Sequence, residues 1–182
     1  MVIWQLEVKK ESTQNTLVFF LLKCNFCQEH ILMQNGNTKY IWELLNTVPD
    51  PEIPVISVVE LGVIRNISFT NKSYIILITP TYSGCPAVKT FMDDIKSSLK
   101  ENGIRNFQLK LVYSPAWTTN WMTDETKEKL KKYGIAPPSN TVICPQCDSQ
   151  KTELISEFGA TACKALYKCS DCLEPFEFFK CI

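Results

Sequence analysis

The chain has 182 residues, of which 45% are hydrophobic and 21% charged, enough for a buried core but room for no more than two compact units. Basic and acidic side chains both number 19, so no global field exists to draw in nucleic acid or an anionic membrane, and function has to be sought in local sites. The nine cysteines are odd in number, several fall in Cys-x-x-Cys pairs and no secretory leader precedes them, which argues against a secreted disulfide scaffold and for thiolates on metal in a reducing cytoplasm.

Residues 1–36 have mixed character and no clear fold. Their longest apolar run, LVFFLL at residues 17–22, is far short of the roughly 20 residues that cross a bilayer, so a soluble protein without a membrane partner is expected. Cys24, Cys27 and His30 have the spacing Cys-x-x-Cys-x-x-His, which could supply three metal ligands.

From Lys39 the pattern sharpens. Ile41, Leu44, Leu45 and Val48 recur at helical spacing until Pro49 stops them. The following stretch VPDPEIP carries three prolines and reads as a rigid extended loop bearing Asp50 and Glu52, with Glu60 beside it; acids in such loops commonly cap turns. A hairpin is expected from Val63 to Ile78 with its turn at Thr70-Asn71-Lys72 and a central, doubly apolar second arm.

After Cys85-Pro86, Val88, Phe91, Met92, Ile95 and Leu99 define an amphipathic helix closed by Asn102-Gly103. Pro86 suits a first helical position, which makes Cys85 the expected cap and places its sulfur where the helix dipole lowers a thiol pKa. Phe107, Leu109, Leu111 and Tyr113 alternate with other residues, as in a strand with one face on a core. A charged helix from Thr123 to Tyr133 ends at Gly134, and Ala136-Pro137-Pro138-Ser139 reads as a linker.

The resulting order predicts an α+β fold with helices covering a small mixed sheet over residues 37–138, followed by a second module over residues 139–182 that holds six of the nine cysteines. There Cys144, Cys147, Cys169 and Cys172 form two Cys-x-x-Cys knuckles, the ligand pattern of a structural Zn²⁺ site in a β-ribbon with a knuckle at each hairpin tip. Cys163 and Cys181 stand outside the pairs, either as packing residues or as additional metal ligands, including ligands of an iron-sulfur cluster. Four lysines face six acidic residues from 144 to 182, the wrong balance for binding nucleic acid. The sole histidine, His30, leaves Cys85 without an evident general base, so Cys-His catalysis is not expected.

The segments DPEIPVISVVELGVI (residues 50–64) and TPTYSGCPA (residues 79–87) resemble the SufT-type iron-sulfur assembly domain. The continuation YSPAWTTNWMTDETKEKLKKYGIAPP, with CPQC, ISEFGATACKALYKC and EPFEFFKCI, is similar to the PaaD family of phenylacetate-degradation accessory proteins. That resemblance, covering residues 39–182, implies that Cys85 is the key cysteine of an iron or iron-sulfur transfer site, with Asp50 and Glu60 as its acidic loop positions. It implies a zinc ribbon on the two knuckles and a transient iron or iron-sulfur cargo.

The implied role is maturation of the phenylacetyl-CoA epoxidase complex in phenylacetate catabolism rather than catalysis, with the other epoxidase subunits as partners and a homodimer left open. A non-catalytic structural subunit of the oxygenase complex is the alternative. The family-like text begins just after Met33, so residues 1–36 are expected to be an annotation extension.

Overall fold

The computed structural model describes residues 36–182, and residues Thr38–Ile182 cluster as one compact unit. Cys24, Cys27 and His30 lie outside the described residues.

Helix α1 (Thr38–Leu45) buries Ile41 and Leu45, one turn apart on one face. The proline-rich segment that follows is closed on itself. Pro49 bridges Ser57, the Asp50 N–H donates to the Ile56 carbonyl and the Val58 N–H to that of Val48, while Ile53, Ile56 and Val58 are buried beneath it. Proline-fixed backbone and three apolar anchors give a rigid loop.

Strand β1 (Ile64–Thr70) and β2 (Ser73–Ile78) pair antiparallel around Asn71 and Lys72, whose φ values of 52° and 61° are those of a tight hairpin turn. Helix α2 (Ala87–Glu101) buries Ala87, Phe91, Ile95 and Leu99, and strand β3 (Phe107–Leu111) then pairs parallel with β2, giving a mixed sheet of order β1-β2-β3. The expected central arm is indeed β2, although burial alternates along it: Tyr74, Ile76 and Ile78 are buried, Ile75 and Leu77 only partly. Strand β3 departs further from expectation. It is an edge strand with no fully buried residue, and Leu111 and, just beyond the strand, Tyr113 are exposed, because among the described residues no strand pairs with its outer edge.

Helix α3 (Asp124–Tyr133) starts at Thr123, whose hydroxyl accepts from the Thr126 N–H, and stops at Gly134 with φ 94°. The chain then enters a second sheet of order β4-β7-β6-β5, built from β4 (Ile135–Ala136), β5 (Thr152–Ser156), β6 (Lys164–Cys169) and β7 (Pro175–Phe179). One face packs Ala136, Cys144, Cys169, Phe176 and Phe178 together, with Tyr167 against both phenylalanines. Phe179 lies 1% exposed with its ring 5.9 Å from that of Trp117, and the Thr119 N–H donates to the Ile182 carbonyl. These contacts fasten the chain's last residues to the segment between β3 and α3. The architecture is the α+β fold with a C-terminal β-ribbon that the sequence predicts.

Candidate metal centre and transfer site

Two thiol sites emerge. The first joins the knuckles: the sulfurs of Cys144, Cys147, Cys169 and Cys172 all lie within 4.8 Å of one another, with Cys144 to Cys172 and Cys147 to Cys169 both at 3.6 Å. Tetrahedral Zn²⁺ with sulfurs at about 2.3 Å needs S···S separations of about 3.8 Å, so the set fits Zn²⁺ with little adjustment. Only the second knuckle occupies a hairpin tip, between β6 and β7. The first is a turn in the loop before β5, tightened by the Asp148 N–H donating to the Cys144 carbonyl and by Asp148 at φ 58°. Backbone N–H groups of Cys172 and then Asp171 aim at Cys169 and hold its thiol down at about 6, as a metal-binding thiolate requires.

The second site surrounds Cys85. Pro86 rather than Cys85 is the helix cap, and Cys85 lies half-buried one residue earlier. The expected lowering of its pKa is overturned. Burial is the largest influence and raises it, and the nearby Glu52 carboxylate raises it further, against opposing hydrogen bonds from the Ala87 and Val88 N–H groups and the Thr81 hydroxyl. The thiol is therefore protonated at neutral pH.

Cys85 borders a small cavity of about 20 Å³, room for roughly one water-sized body. Asp50, Glu52, Thr81, Cys163 and Phe179 are among its other walls. Asp50 is 6% exposed, and its Oδ1 accepts from the N–H groups of Glu52 at 2.9 Å and Ile53 at 2.8 Å, which pins the loop's turn. Desolvation raises its pKa despite those two bonds.

Glu60 is placed differently. Its Oε2 accepts from the Ser57 N–H while the Ser57 hydroxyl accepts from the Glu60 N–H, a reciprocal capping box, and its Oε1 pairs with Lys129 of α3. Glu60 is not among the cavity's lining residues and holds the loop to the helix instead. Cys181 is exposed with its sulfur 3.5 Å from the Ser139 carbonyl oxygen. What sequence reasoning missed is that Glu52 and Cys163 share the Cys85 cavity. No local spacing reveals this, since Cys163 arrives from the second sheet.

Residues 38–103 match the iron-sulfur cluster assembly protein family and residues 131–180 the PaaD zinc beta ribbon domain, so the chain joins an assembly-type α+β domain to a zinc ribbon. The chain belongs to the PaaD family of phenylacetyl-CoA epoxidase subunits. It is 48% identical over 151 residues to a putative 1,2-phenylacetyl-CoA epoxidase subunit of Escherichia coli, covering 78% of this chain and 92% of that protein.

It is also 30% identical over 92 residues to an Fe-S protein maturation auxiliary factor of Porphyromonas gingivalis, covering 50% of this chain and 87% of the relative. Among solved structures, a domain of unknown function from Bacillus anthracis matches at 26% identity with a TM-score of 0.47, covering 50% of this chain and 89% of that one. A conserved hypothetical protein from Thermotoga maritima matches at 26% identity with a TM-score of 0.46, covering 53% and 96%. No helix among the described residues is long and apolar enough to cross a membrane.

Proposed function

We propose that this protein is a maturation factor of the phenylacetyl-CoA epoxidase complex, passing iron or an iron-sulfur cluster through Cys85 to the other subunits, and that it acts in the cytoplasm without oxidising substrate itself. In this reading residues 37–138 form the transfer domain and residues 139–182 the zinc-stapled ribbon. Asp50 shapes the cavity beside the thiol, and Glu60 braces the loop that carries Asp50.

The observation that carries the proposal is a half-buried thiol on a small, mostly apolar cavity whose wall includes Asp50 and Glu52, within a segment that matches an iron-sulfur assembly family. Burial, and then the Glu52 carboxylate, raises that thiol's pKa, so protons compete with a metal for the sulfur. The knuckle cysteines, by contrast, hold Zn²⁺ as a permanent part of the fold.

The test is co-expression of the epoxidase subunits with wild-type protein or with Cys85→Ser. The variant is expected to keep its zinc while the partner oxygenase loses iron and activity. Full partner iron content with Cys85→Ser would overturn delivery and favour a structural role in the complex.

A further inference from the structure

We propose that the groove between the end of α3 and the ribbon sheet takes an arginine side chain of a partner epoxidase subunit, with Glu52 as its counter-charge. The inference rests on the reading above only in taking the partner to be one of those subunits.

The groove is open and holds about 430 Å³, the size of a site that accepts a side chain or a small ligand. Its walls divide by chemistry. Tyr133, Leu166 and Phe176 form an apolar side, and Glu52, Lys164 and Glu177 a charged one. Tyr133 is 50% exposed at the last turn of α3, and at Gly134 a Cβ would meet nothing within 4 Å, so the mouth is unobstructed there.

The charged side is ordered by its own contacts. Glu177 Oε2 pairs with the buried Lys164 ammonium at 2.6 Å, and its Oε1 accepts from the Ala160 N–H at 2.8 Å. At Gly159 a Cβ would meet that Oε1 at 2.7 Å, so this close approach requires glycine. Lys164 and Glu177 thus satisfy one another, and Glu52 is left over. The Thr161 hydroxyl hydrogen-bonds the Glu52 carboxylate and the Asp50 and Glu177 carboxylates repel it, while among the described residues no cation is in ion-pair contact with it. Two carboxylates against one ammonium leave the groove with one formal negative charge in excess.

The complement of such a groove is a cation on an apolar stem. Arginine fits better than lysine: its methylenes lie along Leu166, and its planar guanidinium can stack on the half-exposed Tyr133 ring while forking onto a carboxylate, which a compact ammonium cannot do.

NMR titration of the zinc-loaded full chain with N-acetylarginine amide tests the groove. Saturable shifts are expected at the Gly134 and Glu177 amides. N-acetylcitrulline amide, of the same shape without the charge, is expected to bind at least about tenfold more weakly, and Glu52→Gln to weaken the arginine probe as much, since a hydrogen bond to a charged group is at stake. Tyr133→Ala should cost about two- to fivefold and Tyr133→Phe nothing, as stacking on a ring requires. No saturable shift, equal binding of the citrulline probe, or an unchanged Glu52→Gln would overturn the site; equal binding of N-acetyllysine amide would overturn the assignment to arginine.

Co-purification with co-expressed epoxidase subunits tests the source of the side chain. Glu52→Lys, with zinc content and thermal midpoint unchanged, is expected to reduce co-purification at least about tenfold, because it seats a like charge where the cation docks. Undiminished co-purification would overturn the partner subunit as the source, and self-association of the chain alone that Glu52→Lys breaks would assign the groove to a second copy instead. Cys85→Ser should co-purify normally, so that full partner iron in that variant would overturn delivery without touching the groove.

Discussion

At the knuckles four sulfurs crowd within 4.8 Å and backbone N–H groups favour the thiolate of Cys169 while its crowded neighbours Cys147 and Cys172 are pushed up, whereas at the cavity burial, and then Glu52, raises the pKa of both Cys85 and Cys163. The two sites belong to one compact unit and differ first in geometry: four sulfurs converge at the knuckles, whereas at the cavity one half-buried and one buried thiol border a small, largely apolar space. N–H donors lower the proton affinity of a ligand and strengthen metal binding, while burial and neighbouring anions raise it and weaken binding. A permanent staple wants the first environment and a transient carrier the second.

Removing the zinc should produce the largest effect. Two of the five residues in the ribbon's buried cluster, Cys144 and Cys169, are themselves ligands, so little apolar core is left to hold the second sheet without metal. Structural zinc supplies about 10–16 kcal/mol of apparent free energy in small modules. Chelation is expected to abolish hydrogen-exchange protection across β5, β6 and β7 while α2 keeps its own; undiminished protection of those strands in metal-free protein would show that the ribbon stands on packing alone.

The same comparison explains what could be read from the sequence. The knuckles announce themselves because Cys-x-x-Cys is a local pattern, and α2 does so because Phe91, Ile95 and Leu99 repeat on a helical period. The cavity around Cys85 is non-local: Asp50 and Glu52 come from a proline-rich loop and Cys163 from the turn before β6, and only the packed fold joins them. The helix-dipole argument for Cys85 used the correct neighbour, Pro86, but could not include burial or Glu52, which reverse the shift. Strands β4 and β7 escape sequence reading for a different reason. Ile135 and Ala136 are too few for a period of two to show, and β7 alternates weakly in a run dominated by phenylalanine.

A packing variant separates the two sites by a smaller effect. Phe179, fully buried against Trp117, lines the Cys85 cavity without touching the knuckle cluster. Phe179→Ala is expected to cost about 3–5 kcal/mol in denaturant unfolding, the usual toll for a core phenylalanine, with zinc content unchanged. A loss under about 1 kcal/mol would mean that the chain's C-terminal residues are not a structural part of the cavity wall.

The smallest effect concerns rate rather than stability. With its pKa raised by burial and by Glu52, Cys85 carries less thiolate at any given pH than an ordinary cysteine, and thiolate is the species that alkylates. Iodoacetamide labelling of zinc-loaded protein, followed peptide by peptide, should therefore modify Cys85 more slowly than the exposed Cys181 at pH 8. Its rate should still be climbing above pH 9, beyond the ordinary thiol value. The groups that act on this thiol also include Cys163 and Tyr82, which face it electrostatically, but Glu52 is the one whose charge can be removed with least change of shape. Glu52→Gln deletes an anion that opposes thiolate formation, so it should accelerate Cys85 labelling at pH 8 while leaving Cys181 unchanged. Equal rates for Cys85 in the variant and the wild type would separate the loop carboxylate from the thiol, and the contrast between the two sites would then rest on burial alone.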